Sequence, residues 1–451
     1  MTDQTWGWWR HQAAATGPTV GIQDGIAPEP GGAIPFWALM AFTLLLLLSP
    51  QSFVPAIGAL HLPLLSALLA AGTYVLRRSR RHLPIFGARQ ELKIAATLAG
   101  WAIVTVPLSM WPGGSVAFFF SIFFKALVVF WLLTAVVDTP ARLRIVIWIL
   151  SLIAVPLSVS AVRGFFSGAF RAEELTKGLD RISGYNGSLT GNPNDLALML
   201  NLILPLTIAL FLCTRRLPLK LLLAVIVVLD MVAVVATFSR AGFLALGVIG
   251  LSFLVLLFKR GQKGLAMGVI AAALVSTAFV PSSYYDRLST ITNIQADTTN
   301  SAQNRLRDNI IAVKYVATHP VVGAGIGMNI LMLNNARGAD WTKVHNVYLE
   351  YAVDLGLPGV GIFVFLIYTI ARKLRRASRE IANLPALDEV RTLLQGLGVS
   401  LAGFALSAIF YPDAYQFYFY YIAGLAIAAT SIAFVYRDAG SAQAEPEMVK
   451  P

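Results

Sequence analysis

One of the five histidines stands where a side chain could accept a proton at the edge of a membrane. His345 and Asn346 immediately precede an apolar stretch, and nine residues later the chain reads Gly356-Leu357-Pro358-Gly359. An unperturbed imidazole has a pKa of about 6.5, so it can act as a general base near neutral pH. We expect His345 to lie where a helix emerges into water, which favours a chemical role over a packing role.

Arginine side chains supply the chemistry that would complement such a base. Arg163 and Arg181 lie between two apolar stretches, Arg240 begins another, and Arg305 lies in a long polar segment. A guanidinium group can bind a pyrophosphate through two parallel hydrogen bonds. The alternative is that these arginines contact lipid headgroups or pair with acidic residues of the same segments, such as Asp308.

Further polar residues flank or interrupt the apolar stretches. Glu350 lies one helical turn after Asn346 and could hydrogen-bond a ligand near the surface,. Asn194 lies at a predicted helix start, where ordinary capping explains the sequence equally well. Lys125 and Asp230 fall within apolar stretches, where charges are costly, and we expect them to pair with each other.

The composition excludes a soluble protein. Of the 451 residues, 57% are hydrophobic and 13% are charged, whereas a soluble domain has about 25% charged residues. The only cysteine, Cys213, allows no intramolecular disulfide,. The net charge of +12 requires no nucleic acid partner, because basic residues between membrane helices set their orientation and contact membrane lipids.

Apolar stretches long enough to cross a bilayer, which takes about 20 residues, recur along the chain. They predict an all-α polytopic membrane protein with about 12 transmembrane helices and a long periplasmic loop that contains an amphipathic helix. The predicted spans are 34–55, 58–76, 94–111, 116–137, 143–162, 195–213, 218–237, 241–258, 264–281, 344–371, 391–411 and 414–436.

The distribution of Lys and Arg predicts the orientation of these spans. Most of the 35 basic residues fall in alternate connections and in the tails, which places both termini inside and His345 outside. The predicted organisation is a disordered cytoplasmic tail at 1–33, transmembrane helices 1–9 at 34–281 with a periplasmic loop at 163–194, a large periplasmic loop at 282–343, transmembrane helices 10–12 at 344–436, and a cytoplasmic tail at 437–451. We expect no cleaved signal peptide at the N-terminus.

The large loop has a regular pattern of its own. Leu306, Ile310 and Val313 recur at helical spacing, which predicts an amphipathic helix on the outer membrane surface,. After His319 comes Gly323-Ala324-Gly325-Ile326-Gly327. This turn could bring backbone N–H groups to a phosphate, or it could be a flexible joint.

Four blocks of the sequence together resemble the O-antigen ligase and polymerase superfamily of bacterial membrane glycosyltransferases. Asn309 is a departure, because the family usually has tryptophan there. The blocks, which cover about residues 180–370, are Arg181 with Gly191-Asn192-Pro193-Asn194-Asp195-Leu196-Ala197; Thr237-Phe238-Ser239-Arg240-Ala241-Gly242; Arg305 with His319-Pro320 and Gly323-Ala324-Gly325; and His345-Asn346 with its Gly-x-x-Gly.

The resemblance implies a transferase of the bacterial inner membrane, with its active site facing the periplasm. The donor would be a glycan on undecaprenyl pyrophosphate, and the acceptor a hydroxyl group, as in lipid A–core. His345 would accept or orient the hydroxyl proton, and Arg305 would stabilise the leaving pyrophosphate. The implied reaction inverts configuration and needs neither a metal nor a cofactor. The expected substrate-binding residues are Arg181, Arg240, Arg163, Asn194, Asn346 and Glu350.

Other functions remain open at this point. Within the family, a polymerase that joins lipid-linked repeat units or a protein O-oligosaccharyltransferase differs only in acceptor. The loop at 282–343 is about twice as long as that at 163–194, and one dominant loop is typical of the family's ligases. A flippase or other transporter is disfavoured because such proteins use paired repeats around a midplane site, and the candidate residues lie at one face.

Overall fold

The computed structural model of the chain describes residues 32–87, 89–168, 182, 184, 185, 187, 189–268, 270, 301–338 and 341–444. The regular secondary structure of this part of the chain is helical. The main helices are α1 (Ala33–Leu48), α2 (Leu62–Arg80), α3 (Gln90–Thr105), α4 (Pro112–Val136), α5 (Pro140–Phe166), α6 (Pro193–Cys213), α7 (Leu217–Ala236), α8 (Arg240–Lys259), α9 (Ser301–Thr318), α10 (Asn329–Arg337), α11 (Val347–Glu380), α12 (Asp388–Ser407) and α13 (Phe417–Ala444). Short helical turns at Pro50–Ser52, Pro55–Gly58, Val106–Leu108 and Pro385–Leu387 join some of them.

Eleven helices in the described residues are long and apolar enough to cross a bilayer. They are α1 to α8 and α11 to α13, and they coincide with eleven of the predicted spans. The chain is therefore an all-α multi-pass membrane protein, as the composition predicts. Most of the predicted span at 264–281 lies outside the described residues, and so does almost all of the predicted tail at 1–33. Helix α13 continues to Ala444, so the first part of the predicted tail at 437–451 is helical.

Helices α6 and α13 form the centre of the bundle. Of the most apolar 18 residues of α6, 78% are buried, and the corresponding share of α13 is 83%. Both helices are apolar on all sides, which is the pattern of a helix surrounded by protein. Helix α2 lies at the periphery, where only 11% of the corresponding residues are buried. The core thus holds α6 against α5, α7, α8 and α12. This packing fixes the ends of these helices, including the ends on the side of the bundle that carries His345.

Helix α11 is interrupted at Gly356, which has a φ of 69° and a ψ of −174°. A loop that follows α9 lies against this break. The N–H group of Leu357 donates to the carbonyl of Pro320 at 2.7 Å, and that of Ala324 donates to the carbonyl of Val353, also at 2.7 Å. A Cβ atom at Gly356 would collide with the Val321 carbonyl. The glycine therefore permits both the backbone conformation and the close approach of the loop.

The predicted pairing of Lys125 with Asp230 is wrong. Asp230 is fully buried in α7, and its Oδ1 accepts a hydrogen bond from Ser158 of α5 at 2.7 Å. Lys125 is exposed on α4. A serine hydroxyl of the neighbouring helix thus binds one of the two carboxylate oxygens, and Lys125 binds neither.

The predicted amphipathic helix of the large loop is confirmed as α9. Its inner face packs on α10 and α11 through Ala312, and Asp308 forms a buried ion pair with Arg337 at 2.7 Å. Asp308 is thus held by an arginine of the same loop. This pair fixes α9 against the end of α10.

Candidate functional site at the start of α11

The His345 ring is held by the backbone of its own segment. Its Nδ1 lies 2.9 Å from the carbonyl oxygen of Lys343. Because a carbonyl can only accept a hydrogen bond, Nδ1 carries the proton in this arrangement, and we assign the tautomer on that basis. The lone pair of Nε2 then remains available to accept a proton from another molecule. The next residue, Asn346, caps α11 by accepting a hydrogen bond from the Leu349 N–H at 3.1 Å.

The expectation of an ordinary pKa for His345 is wrong. The pKa of the imidazole is lowered from 6.5 to about 3. Burial is the largest cause, and the positive charge of the neighbouring Arg305 is the second. The hydrogen bond to Lys343 acts in the opposite direction. His345 is consequently neutral throughout the physiological pH range in the protein without substrate.

Arg305 lies on the side of α9 that faces the bundle. With about 100° of rotation per residue, Arg305 is on the same side as Asp308 and Ala312, both of which are buried. Its charge acts on His345 and also on Tyr411. The structure therefore brings together the imidazole and the guanidinium that the sequence analysis selected, although 40 residues separate them.

Residues 408–416, between α12 and α13, contribute to the same region and were missed by the sequence analysis. Tyr411 is buried, and its hydroxyl lies 3.2 Å from the Oγ of Ser239. Ser239 caps α8 by accepting from the Gly242 N–H at 3.2 Å, and Arg240 follows it. Burial raises the pKa of Tyr411, while the charge of Arg305 lowers it. Tyr411 thus connects the start of α8 with the Arg305 side of the site.

Asp413 adds a carboxylate to this segment. It is 9% exposed, and one of its carboxylate oxygens has no hydrogen-bond partner. Burial raises the pKa of Asp413 to about 6, and the charge of Lys343 opposes that shift. A single aspartate in an otherwise uncharged link between two spans was a signal in the sequence that could have identified it.

Glu350 and Asp354 face inward and hold neighbouring segments. Glu350 is 2% exposed, and its Oε2 accepts from the Ala414 N–H at 3.0 Å. The Asp354 carboxylate accepts from the N–H groups of Gly327 at 2.9 Å and Asn329 at 2.7 Å. Asn329 in turn accepts from the Val344 N–H at 3.2 Å. This buried network fixes the residue that precedes His345, and Glu350 lies behind the site.

The same contacts decide between the two interpretations of the glycine-rich turn. The N–H groups of Ala324 and Gly325 donate to backbone carbonyls of α11, and that of Gly327 donates to Asp354. These donors are therefore occupied by the protein. The turn connects the loop to the break in α11 and is not a cradle for phosphate.

The remaining expected residues lie around the neighbouring helix ends. Arg163 is exposed in the last turn of α5. Phe165 stacks on Phe238 with ring centroids 5.9 Å apart, which places this end of α5 beside the start of α8 and Arg240. Arg181 lies outside the described residues.

Asn194 belongs to the first turn of α6. Its N–H group donates to the side chain of Asn192 at 2.8 Å, which confirms that this motif caps the helix. Asp195, the next residue, is near enough for its charge to raise the pKa of Tyr411. The start of α6 therefore borders the same region as α8 and α9.

Together these residues can accept a proton and bind an anion. A neutral imidazole with a free Nε2 lies near a guanidinium at the start of α11. Tyr411 links this region to the starts of α6 and α8. In the described part of the chain, no three His, Cys, Asp or Glu side chains are grouped as metal ligands.

Comparison with known proteins gives one family match that overlaps this region. A comparison with curated proteins found no match. A family model described as O-antigen ligase matches residues 223–364, just under a third of the chain, and this segment contains Arg240, Arg305 and His345. The match supports the resemblance to the O-antigen ligase superfamily that the sequence motifs indicate.

Proposed function

We propose that this protein transfers a glycan from undecaprenyl pyrophosphate to a hydroxyl group of lipid A–core or a similar acceptor. The observation that carries the proposal is the position of Arg305 beside His345, within the segment that matches the O-antigen ligase family. A base for the acceptor and a bidentate cation for the leaving group are the two groups that such a transfer requires.

The reaction follows from these two groups. The acceptor oxygen attacks the anomeric carbon of the first sugar, and the bond from that carbon to the pyrophosphate oxygen breaks. The hydroxyl proton passes to Nε2 of His345, and the electron pair leaves with the pyrophosphate, whose added charge Arg305 stabilises. A single displacement of this kind inverts the configuration. It needs no metal, because the guanidinium supplies the positive charge.

Binding of the donor makes His345 a stronger base. The second cause of its low pKa is the charge of Arg305. A pyrophosphate bound to Arg305 neutralises that charge and places negative charge near the ring, so the pKa of His345 rises in the complex. Proton transfer is thereby favoured when the donor is present.

The proposed site faces the periplasm of a bacterial inner membrane. The cytoplasmic connections carry the basic clusters, such as the arginines at the end of α11, whereas His345 immediately precedes the cap at the other end of this helix,. Arg163, Arg240, Asn194 and Asn346 contact the donor or the acceptor in this proposal, as does Arg181. Glu350 acts indirectly by fixing residues 408–416.

Purified protein in lipid nanodiscs tests the proposal. It is incubated with undecaprenyl-pyrophosphate glycan and either lipid A–core or additional donor, and the products are sized. Glycan on lipid A–core is the expected product. Elongated lipid-linked chains would instead identify a polymerase, and donor that only changes leaflet in vesicles would identify a transporter.

A further inference from the structure

Helix α9 exposes aliphatic side chains on the side opposite its buried residues Asp308 and Ala312. Leu306, Ile310 and Val313 are 50%, 48% and 53% exposed, whereas Asp308 and Ala312 of the same helix are buried. Rotation of about 100° per residue places the three exposed side chains on one face. This outward face is fixed in direction, because the inner face is held by the buried ion pair to Arg337.

The outward face resembles the surface of helices that contact lipid. On the peripheral span α2, Leu64 and Leu68 are 52% and 59% exposed, which is the same degree of exposure. A cluster of large aliphatic side chains in water is unfavourable by about 25 cal/mol for each Å² of apolar surface. A lipid environment removes that cost for α9 as it does for α2.

The end of α9 lies at the depth of the outer edge of the hydrocarbon. Val321, which follows α9, lies against the break of α11 at Gly356. From Gly356, α11 continues for 16 residues to Arg372, where its basic end begins. This stretch of helix is about 24 Å long at 1.5 Å per residue. The hydrocarbon core is about 30 Å thick. Val321 and Leu357 are 57% and 55% exposed at this level.

Cations accompany the aliphatic residues on the outward face. Arg307 and Lys314 are exposed two helical turns apart, on the same side as Gln303,. With Leu306, Ile310 and Ile311 they line a shallow groove of about 480 Å³. Positive groups beside aliphatic groups match a phospholipid, whose phosphate lies directly above its acyl chains.

We propose that the outward face of α9 docks on the outer leaflet of the membrane. Leu306, Ile310 and Val313 enter the boundary between headgroups and acyl chains, and Arg307 and Lys314 bind the phosphate groups of anionic phospholipid. In the docked helix, Arg305 lies about 100° of rotation away from these aliphatic residues, on the side of Asp308 and Ala312,. This surface is distinct from the transfer site, and its docking does not depend on the proposed function.

Spin labelling measures the depth of the outward face directly. Cys213 is the only cysteine, so Cys213→Ser followed by Ile310→Cys gives a single label in nanodiscs of phosphatidylcholine and phosphatidylglycerol. Labels at Leu68 on α2 and at exposed Gln262 serve as lipid and water references. The label at 310 is expected to collide with oxygen and to be shielded from a water-soluble nickel chelate, as at Leu68.

Two results would overturn the docking. Collisions with nickel like those at Gln262 would show that the face lies in water. Shielding from both oxygen and nickel would show that another protein segment or a second copy of the chain covers it.

A binding measurement tests whether Arg307 and Lys314 contact phospholipid phosphate. The protein labelled at position 310 is solubilised in detergent, and its affinity for short-chain phosphatidylglycerol is measured. Arg307→Gln with Lys314→Gln is expected to weaken it about 25-fold, or about fivefold for each cation. Lys259→Gln with Lys263→Gln, at the other end of the bundle, should leave it unchanged. Equal affinity of the first pair and wild type would contradict the proposal, as would an equal response to inorganic phosphate.

Discussion

Substitution of Gly356 by alanine tests whether the break in α11 holds the site together. The glycine has a φ of 69°, and an added Cβ would collide with the Val321 carbonyl and lie 2.7 Å from the Pro320 oxygen. Alanine therefore cannot keep both the backbone conformation and the contact with the loop that follows α9. That loop carries Gly327 and leads directly into Asn329 at the start of α10, and both belong to the network behind His345.

The magnitude follows from the contacts that would be lost. A non-glycine residue in this conformation costs about 1–3 kcal/mol. Three backbone hydrogen bonds join the loop to α11, namely those from Ala324, Gly325 and Leu357, and each contributes about 0.5–1.5 kcal/mol. We therefore expect destabilisation of about 1–3 kcal/mol if the conformation is kept, or about 1.5–4.5 kcal/mol if the loop separates from α11.

Gly361 provides a matched control in the same helix. A Cβ at Gly361 meets nothing within 4 Å, and alanine favours a helix over glycine by about 1 kcal/mol. Thermal unfolding and glycan transfer are measured for both variants in the same detergent. Gly356→Ala should unfold at lower temperature and lose most activity, whereas Gly361→Ala should match wild type. A stable and active Gly356→Ala variant would refute the proposed role of the break.

Three further predictions concern the site and its support. Arg305→Lys should lower the transfer rate about 10- to 100-fold, because lysine cannot bind pyrophosphate bidentately. The control Arg307→Lys, on the opposite face of α9, should stay within about twofold of the wild-type rate. Equal rates for the two variants would show that charge alone suffices at position 305. Because the folded-state pKa of His345 lies near 3, below its ordinary value, unfolding takes up a proton as the pH falls below about 6.5. Between neutral pH and pH 5, the free energy of unfolding of wild type should fall by about 2 kcal/mol more than that of His345→Gln. Thermal unfolding of both proteins across this pH range measures the difference, and parallel profiles would contradict the low pKa. Asp308→Asn should destabilise the protein by about 3–5 kcal/mol, because it leaves the buried Arg337 without its carboxylate,; denaturant unfolding should show no comparable loss for Asp438→Asn, which breaks an exposed pair,.

The sequence predicts the spans well because each depends on a local property. About 20 consecutive apolar residues can be recognised without knowing their neighbours in space. The same is true of α9, since Leu306, Ile310 and Val313 reveal its period, and of the cap formed by Asn346 at the start of α11.

Contacts between distant residues could not be predicted in this way. Tyr411 reaches Ser239 across 172 residues, and no local pattern indicates that pair. Glu350 and Asp354 have the spacing of ligands on one helix face, yet their partners come from residues 414 and 327–329. The pKa of His345 depends on burial by surrounding helices, which sequence spacing does not reveal.

Glycan transfer by His345→Ala tests the central claim most directly, with His319→Ala as the control. His319 is exposed at the end of α9, stacked on Tyr315, and is outside the proposed chemistry. Both variants are purified in equal amounts, reconstituted, and supplied with lipid-linked glycan and acceptor. We predict that His345→Ala loses at least about 100-fold in rate while His319→Ala transfers normally. Transfer by His345→Ala at the rate of His319→Ala would contradict the assignment of His345 as the base.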